Sequence, residues 1–231
     1  MNKIGIIFAI KEELEATISK LEIVNEYKIF DLTFYDCKLK EKECVLVECG
    51  IGKVNAARCT QILIDNIEVD YIINVGVAGG VSKDVKICDV VIGNKLIQHD
   101  FDLRPFNYER GYIPNVGQFI ECDEYLLRLA KEIKVNSKTH IGVIASGDIF
   151  VTEELMGKKI NDKFNALCVE MEGASIAQIC YLSNIPFLVI RSISDSPNKE
   201  ANNNLTFDEF VEKSSKMAAN YIIKLIEKID S

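Results

Sequence analysis

Pro186-Phe187-Leu188-Val189-Ile190 runs without a break into Arg191-Ser192-Ile193-Ser194-Asp195. A short apolar run rich in β-branched residues, stopping at charged and hydroxylated ones, reads as a strand buried on both faces with polar groups at its carboxyl end. The same form recurs at residues 4–10, 43–48, 71–75, 89–92, 140–145 and 166–169. Between these runs, residues 12–21, 54–64, 124–134, 153–161, 172–182 and 208–229 carry helical periodicity. Alternating strands and helices predict an α/β fold around a mixed, mostly parallel twisted sheet. With 231 residues and no internal repeat or composition break, the chain fits one domain spanning 1–231.

Composition narrows the function classes. Hydrophobic residues at 48% and charged ones at 27% belong to an ordinary globular protein with material for a large core. Twenty-seven Lys and Arg against 35 Asp and Glu leave a net charge of -8, which opposes binding to nucleic acid or an anionic membrane. The amino-terminal apolar run is short and reads as a first strand, so a cytoplasmic location is expected. Residues 173–190 lack charge, but Gln178, Asn184 and Pro186 make them helix, turn and strand, not a membrane span. Eight cysteines without a C-x-x-C pair, most in apolar runs, read as buried thiols in a reducing compartment. The two histidines, His99 and His140, stand apart from any ligand set, so no metal is expected. No G-x-S-x-G elbow marks a serine hydrolase.

In open α/β sheets, ligands bind beyond the carboxyl ends of strands. Those ends here carry Lys11-Glu12-Glu13, Gly50-Ile51-Gly52-Lys53, Gly76-Val77-Ala78-Gly79-Gly80, Ser146-Gly147-Asp148-Ile149-Phe150, Glu170-Met171-Glu172 and the Arg191 to Asp195 segment. Carboxylates, glycines and one arginine thus converge on one edge. The glycine turns match neither dinucleotide nor P-loop patterns, and such turns often only permit tight packing. Glu170 and Glu172 flank Met171, so in an extended segment one faces the site and the other points across the sheet. Either is equally a helix N-terminal carboxylate, and Asp195 equally a turn-capping one. Residues 94–117, with two prolines and several aromatics, and the polar residues 196–206 read as irregular loops of the kind that form lids or interfaces.

Taken together, these blocks resemble the 5′-methylthioadenosine/S-adenosylhomocysteine nucleosidases of the nucleoside phosphorylase superfamily. The resemblance spans nearly the whole chain in order: Gly5-Ile6-Ile7 to Glu13, Gly50 to Val54, Asn74 to Gly80, His99-Asp100, Ser146-Gly147-Asp148, Val169 to Glu172, Arg191 to Asp195 and Phe207-Asp208-Glu209-Phe210. It implies a three-layer α/β/α fold and a hydrolase that removes adenine from 5′-thio-substituted nucleosides, 5′-deoxyadenosine being a further candidate, without metal or organic cofactor. It also implies roles. Glu13 would activate water, with Arg191 helping to hold it. Glu172 would grip the ribose hydroxyls above Met171. Asp195, oriented by Ser194, would serve adenine N7, with Phe150 stacked on the base and Val151 bonding it through the backbone. Ile10, Ile51 and Phe207 would line the thio-substituent end, while Val77, Ala78 and Gly79 complete the pocket. Leu103, Phe106 and Pro114 would come from the other subunit of a homodimer.

Cleavage of the C1′–N9 bond builds positive charge on ribose and negative charge on adenine, so carboxylates by the sugar and an acid by N7 stabilise both. Asp195 is therefore expected to titrate high and Glu13 to be ionised. Val77 departs from the small hydroxyl residue of some relatives, and residues 196–206 form a slightly longer loop. Three rivals stand beside this reading. A phosphorylase of the same fold would need paired cationic donors for phosphate, where this chain has Glu13. An aminodeoxyfutalosine nucleosidase shares the motifs. A non-catalytic nucleoside-binding module would have lost Glu13, Glu172 or Asp195.

Overall fold

The computed structural model of the chain describes residues 2–195 and 207–230. In chain order its strands are β1 (Lys3–Phe8), β2 (Glu22–Ile29), β3 (Leu32–Leu39), β4 (Lys42–Glu48), β5 (Tyr71–Gly80), β6 (Val90–Gln98), β7 (Ile120–Glu121), β8 (Thr139–Ser146), β9 (Ala166–Glu170) and β10 (Phe187–Asp195). The helices are α1 (Lys11–Ile18), α2 (Lys53–Ile62), α3 (Glu124–Lys131), α4 (Glu154–Phe164), α5 (Gly173–Ser183) and α6 (Phe207–Lys228).

The sheet has two regions that share β5. On one side it is open, in the order β2-β3-β4-β1-β5, with β4, β1 and β5 mutually parallel and β2 and β3 added as an antiparallel hairpin. On the other side it closes. β5 pairs with β10 in parallel and with β9 in antiparallel fashion, and β10 leads through β6 and β8 back to β9. The five strands β5, β10, β6, β8 and β9 therefore form a ring. One helical layer is built from α1, α3 and α6 and the other from α2 and α5, with α4 against β8 and β9.

Burial explains which strands announce themselves. β1 and β10 are buried along almost their whole length, which is why they read as continuous apolar runs. β2 has most of its residues in water and carries Glu22, Asn25, Glu26 and Lys28, so its sequence lacks the signal of a strand. The hairpin β2–β3 is thus an addition to the sequence expectation. Two boundaries also move. β6 continues through Gln98, so residues 94–98 belong to the sheet and not to the aromatic loop, and the glycine-rich residues 76–80 extend β5 where a turn was expected. The expected lid, 196–206, lies outside the described residues.

Capping is local and chemical. Asp123 accepts the Leu126 N–H at 2.9 Å to start α3, and α4 and α5 end on Asn165 and Asn184 at φ of 54° and 55°, a left-handed conformation that asparagine tolerates.

Candidate active site

The carboxyl ends of β1, β5, β9 and β10 and the turn after β4 surround a cavity of about 310 Å³. Twelve of the residues expected at the site line it: Ile10, Glu13, Ile51, Val77, Ala78, Gly79, Phe150, Val151, Met171, Glu172, Ser194 and Asp195.

Glu13 sits in the first turn of α1 and is only 4% exposed. Its Oε2 accepts the N–H groups of Ala9 at 2.9 Å and Ile10 at 3.3 Å, so it caps its own helix. Its Oε1 accepts the Val77 N–H at 2.8 Å across the cavity floor. Burial raises its carboxyl above the usual range, against the lowering pull of Arg191 and those three N–H bonds. Glu12 borders the same cavity but stays exposed, because consecutive helical positions point about 100° apart.

Arg191 is fully buried behind the cavity, bonded through Nη2 to Glu170 Oε2 and Asn74 Oδ1. Asn74 is held in turn by donating to the Ile7 carbonyl at 3.0 Å. The Arg191 Nε is buried and meets no acceptor among the described residues. Glu172 Oε2 lies 3.7 Å from Arg191 Nη2, and its Oε1 accepts the Gly52 N–H at 2.9 Å. Gly52 has φ of +100°, a backbone that L side chains rarely adopt, which is how the turn after β4 presents that N–H. Burial first, then the charge of Glu170, pushes the Glu172 carboxyl up to about 7.

Residues 170–172 are not extended throughout, so the condition for strand alternation is not met there. β9 ends at Glu170 and the chain bends at Met171 and Glu172, so both carboxylates turn to the same guanidinium.

At the opposite end, Asp195 closes β10. Its Oδ1 accepts the Ser194 hydroxyl at 2.7 Å, and burial raises its carboxyl despite that bond. Phe150 and Ile51, 60% and 55% exposed, form an apolar rim.

Not every expected residue meets in this cavity. Leu103, Phe106 and Pro114 lie on the segment after β6 and do not line it. Phe207 opens α6, but its side chain lies outside the described residues; Val211, one turn later, lines the cavity. Reasoning from sequence assigned Glu170 and Asn74 no role at the site, although both sat in quoted motifs. The usable signal was the lone Arg191, which needs partners once its strand is buried.

A polar clamp ties the surrounding turns together. Lys53 Nζ donates to Asp100 at 2.7 Å and Gln98 at 3.1 Å, Asp148 accepts the Lys53 N–H at 2.8 Å, and Asp100 accepts the Asp148 N–H at 3.0 Å. Lys53, the one cation of the glycine turns, is thereby committed. Among the described lining residues are five carboxylates, Glu12, Glu13, Glu170, Glu172 and Asp195, and no lysine or arginine. His140 pairs with Asp89 at 2.8 Å at the strand starts, away from the cavity.

Comparison with known proteins gives the family. The model of the phosphorylase superfamily matches residues 3–229. A 5′-methylthioadenosine/S-adenosylhomocysteine nucleosidase of Oceanobacillus iheyensis is 38% identical, covering 98% of this chain and 99% of the relative. Among solved structures, the 5′-methylthioadenosine/S-adenosylhomocysteine nucleosidase of S. pneumoniae with a transition-state inhibitor superposes with a TM-score of 0.92 at 38% identity, covering 99% and 100% of the two chains. A futalosine hydrolase of Helicobacter pylori gives 0.92 at 36% identity, covering 99% and 98%.

Proposed function

This chain belongs to the phosphorylase superfamily and, within it, to the 5′-methylthioadenosine/S-adenosylhomocysteine nucleosidases, and from that premise we propose how its cavity divides the work of cleavage. It is a nucleosidase that hydrolyses the N-ribosidic bond of methylthioadenosine and S-adenosylhomocysteine. The observation that carries the proposed mechanism is the charge of the wall: five carboxylates and no basic side chain among the described lining residues. Arg191, the guanidinium behind this wall, is bonded to Glu170 and Asn74, so the wall offers phosphate no paired cationic donors and favours a cationic ribose with water as the acceptor.

Adenine stacks on Phe150 at the rim, with N7 toward the Asp195 oxygen that Ser194 leaves uncommitted. Burial raises the Asp195 carboxyl and so favours its acid form, which passes its proton to N7 as the C1′–N9 electron pair moves into the base. The ribose lies on Met171, its hydroxyls donating to Glu172 Oε2. Water adds its oxygen to C1′ and gives its proton to Glu13, while Arg191 helps to hold that water through Nε, which no described residue engages. The products are adenine and the 5′-thio-substituted ribose, and no cofactor enters the balance. Each proton transfer of this kind is worth ~10²–10⁴-fold in rate.

The reading extends to assembly. Phe106 and Tyr108, 71% and 42% exposed on the loop after β6, give that loop an apolar face suited to a second copy of the chain, which would bring Leu103, Phe106 and Pro114 to the thio-substituent end. Seven buried cysteines fit a reducing, cytoplasmic setting.

The test is adenine release from methylthioadenosine in ¹⁸O-labelled water, with and without phosphate. Equal rates and label at C1 of the sugar are expected; phosphate-dependent turnover to a sugar phosphate would refute the water mechanism.

A further inference from the structure

Glu170 has no part in the proton transfers above, yet it is the most tightly held carboxylate of the cavity. It is buried and collects four donors. Ser146 Oγ donates to Oε1, while Arg191 Nη2, the Glu172 N–H at 3.0 Å and the Gly173 N–H at 2.7 Å converge on Oε2. Ser146 is itself fixed by accepting the Ala174 N–H at 2.7 Å, so β8, β9, β10 and the start of α5 are joined at one carboxylate. Glu172, two residues on, takes one backbone N–H on Oε1, and its Oε2 stays 3.7 Å from Arg191.

Resting on the reading that Glu172 grips the ribose, we propose that Glu170 is a positioning residue for the reaction: it takes the Arg191 guanidinium and the α5 N–H groups for itself and so leaves Glu172 Oε2 uncommitted for the sugar. The distances define what its loss would do. A direct Arg–carboxylate bond spans about 2.7–2.9 Å, so Arg191 Nη2 would need to move by only about 1 Å to seize Glu172 Oε2. That bond would compete with the ribose hydroxyls for the same oxygen.

Charge follows geometry. The groups facing Glu172 are Glu170 from β9, Arg191 from β10, Glu13 from α1 and the Cys49 thiol after β4. Those facing Glu170 include Arg191, Glu172, Cys168 and His99. Burial alone would raise Glu170, but Arg191, Ser146 and the α5 N–H groups outweigh it and hold the carboxyl below the usual range. An ionised Glu170 with first claim on Arg191 leaves Glu172 harder to ionise. Neutralising Glu170 removes a like charge and releases Arg191, and both changes favour the Glu172 carboxylate.

The experiment is Glu170→Gln in the full-length enzyme, with Glu172→Gln beside it. In Glu170→Gln the acid limb of the kcat/KM profile should move to lower pH by about one unit. Inhibition by 5′-methylthioribose should weaken about tenfold, while adenine binding stays within about twofold. A merely structural role would lower activity at every pH and leave the limb in place. An unmoved limb or unchanged methylthioribose binding overturns the proposal. Should Glu170→Gln fail to fold, Ser146→Ala removes the Oε1 donor and keeps the charge. It should weaken methylthioribose without weakening adenine, and unchanged methylthioribose binding overturns the proposal there too. Glu172→Gln separates the two layers: if it leaves methylthioribose binding intact, the ribose reading itself fails, whereas a strong effect there with none in Glu170→Gln defeats only the positioning role.

Discussion

A methyl group on Gly76 would stand 2.5 Å from Oε1 of Glu13. The proposed base and that bare stretch of β5 occupy adjoining space that no side chain can share, because the Glu13 carboxylate spans from the start of α1 to the Val77 N–H. Gly76→Ala should therefore push Glu13 off its three N–H groups. The expected result is a fall in kcat of about 10²-fold, the scale of one misplaced proton-transfer group, with adenine affinity retained. Steady-state kinetics with an adenine-binding isotherm on the folded variant checks this, and wild-type kcat would contradict it.

Asp195→Asn keeps shape and one hydrogen bond but has no proton to give, so kcat on methylthioadenosine should drop by ~10²–10⁴-fold. A ribosyl substrate whose leaving group departs as a stable anion, such as nitrophenolate, should be spared most of that loss. Equal losses on both substrates would mean that Asp195 does not act on the leaving group.

The pH profile has a definite sign. Glu172, pushed up to about 7 by burial and by Glu170, grips the ribose as a carboxylate, so kcat/KM should fall as pH drops through about 7. Asp195 must give its proton, and burial raises its carboxyl in the direction that this role needs. Glu172→Gln should weaken binding and turnover together, by roughly 1.5–3 kcal/mol per lost charge-assisted bond. A flat profile from acid to neutral pH in the wild type would contradict the assignment.

Phe106 carries the assembly prediction, being 71% exposed on the loop after β6. Light scattering should report twice the chain mass of 26.0 kDa, and Phe106→Asp should give monomer with a raised KM for methylthioadenosine. A monomeric wild type with full activity would refute it.

How much of this was legible follows from what burial writes into a sequence. β1, β4, β5 and β10 were readable because both faces are covered, and the polar residues at their ends marked the site edge. β2 was not, because one exposed edge strand with Glu26 and Lys28 in it looks like a loop. Ring closure from β5 to β9 rests on only two paired positions, Gly79 with Val169 and Gly80 with Cys168, and no periodicity encodes such a pairing. Glu13, Glu172 and Asp195 were nameable through their motifs. The tie of Glu170 to Arg191 was not, since it depends on a bend after β9 that the alternation rule, applied to an extended segment, passes over.

The most direct test of the account compares two neighbours on α1. Glu12 and Glu13 both border the cavity, but only Glu13 is buried and holds the backbone N–H groups of Ala9, Ile10 and Val77. Steady-state hydrolysis of methylthioadenosine by Glu13→Gln and Glu12→Gln decides between them. Glu13→Gln should lose ~10²–10⁴-fold in kcat with nucleoside binding largely intact, and Glu12→Gln should turn over at nearly the wild-type rate. Loss of turnover in Glu12→Gln with activity kept in Glu13→Gln would contradict the assignment of the base and, with it, the proposed route of the water proton.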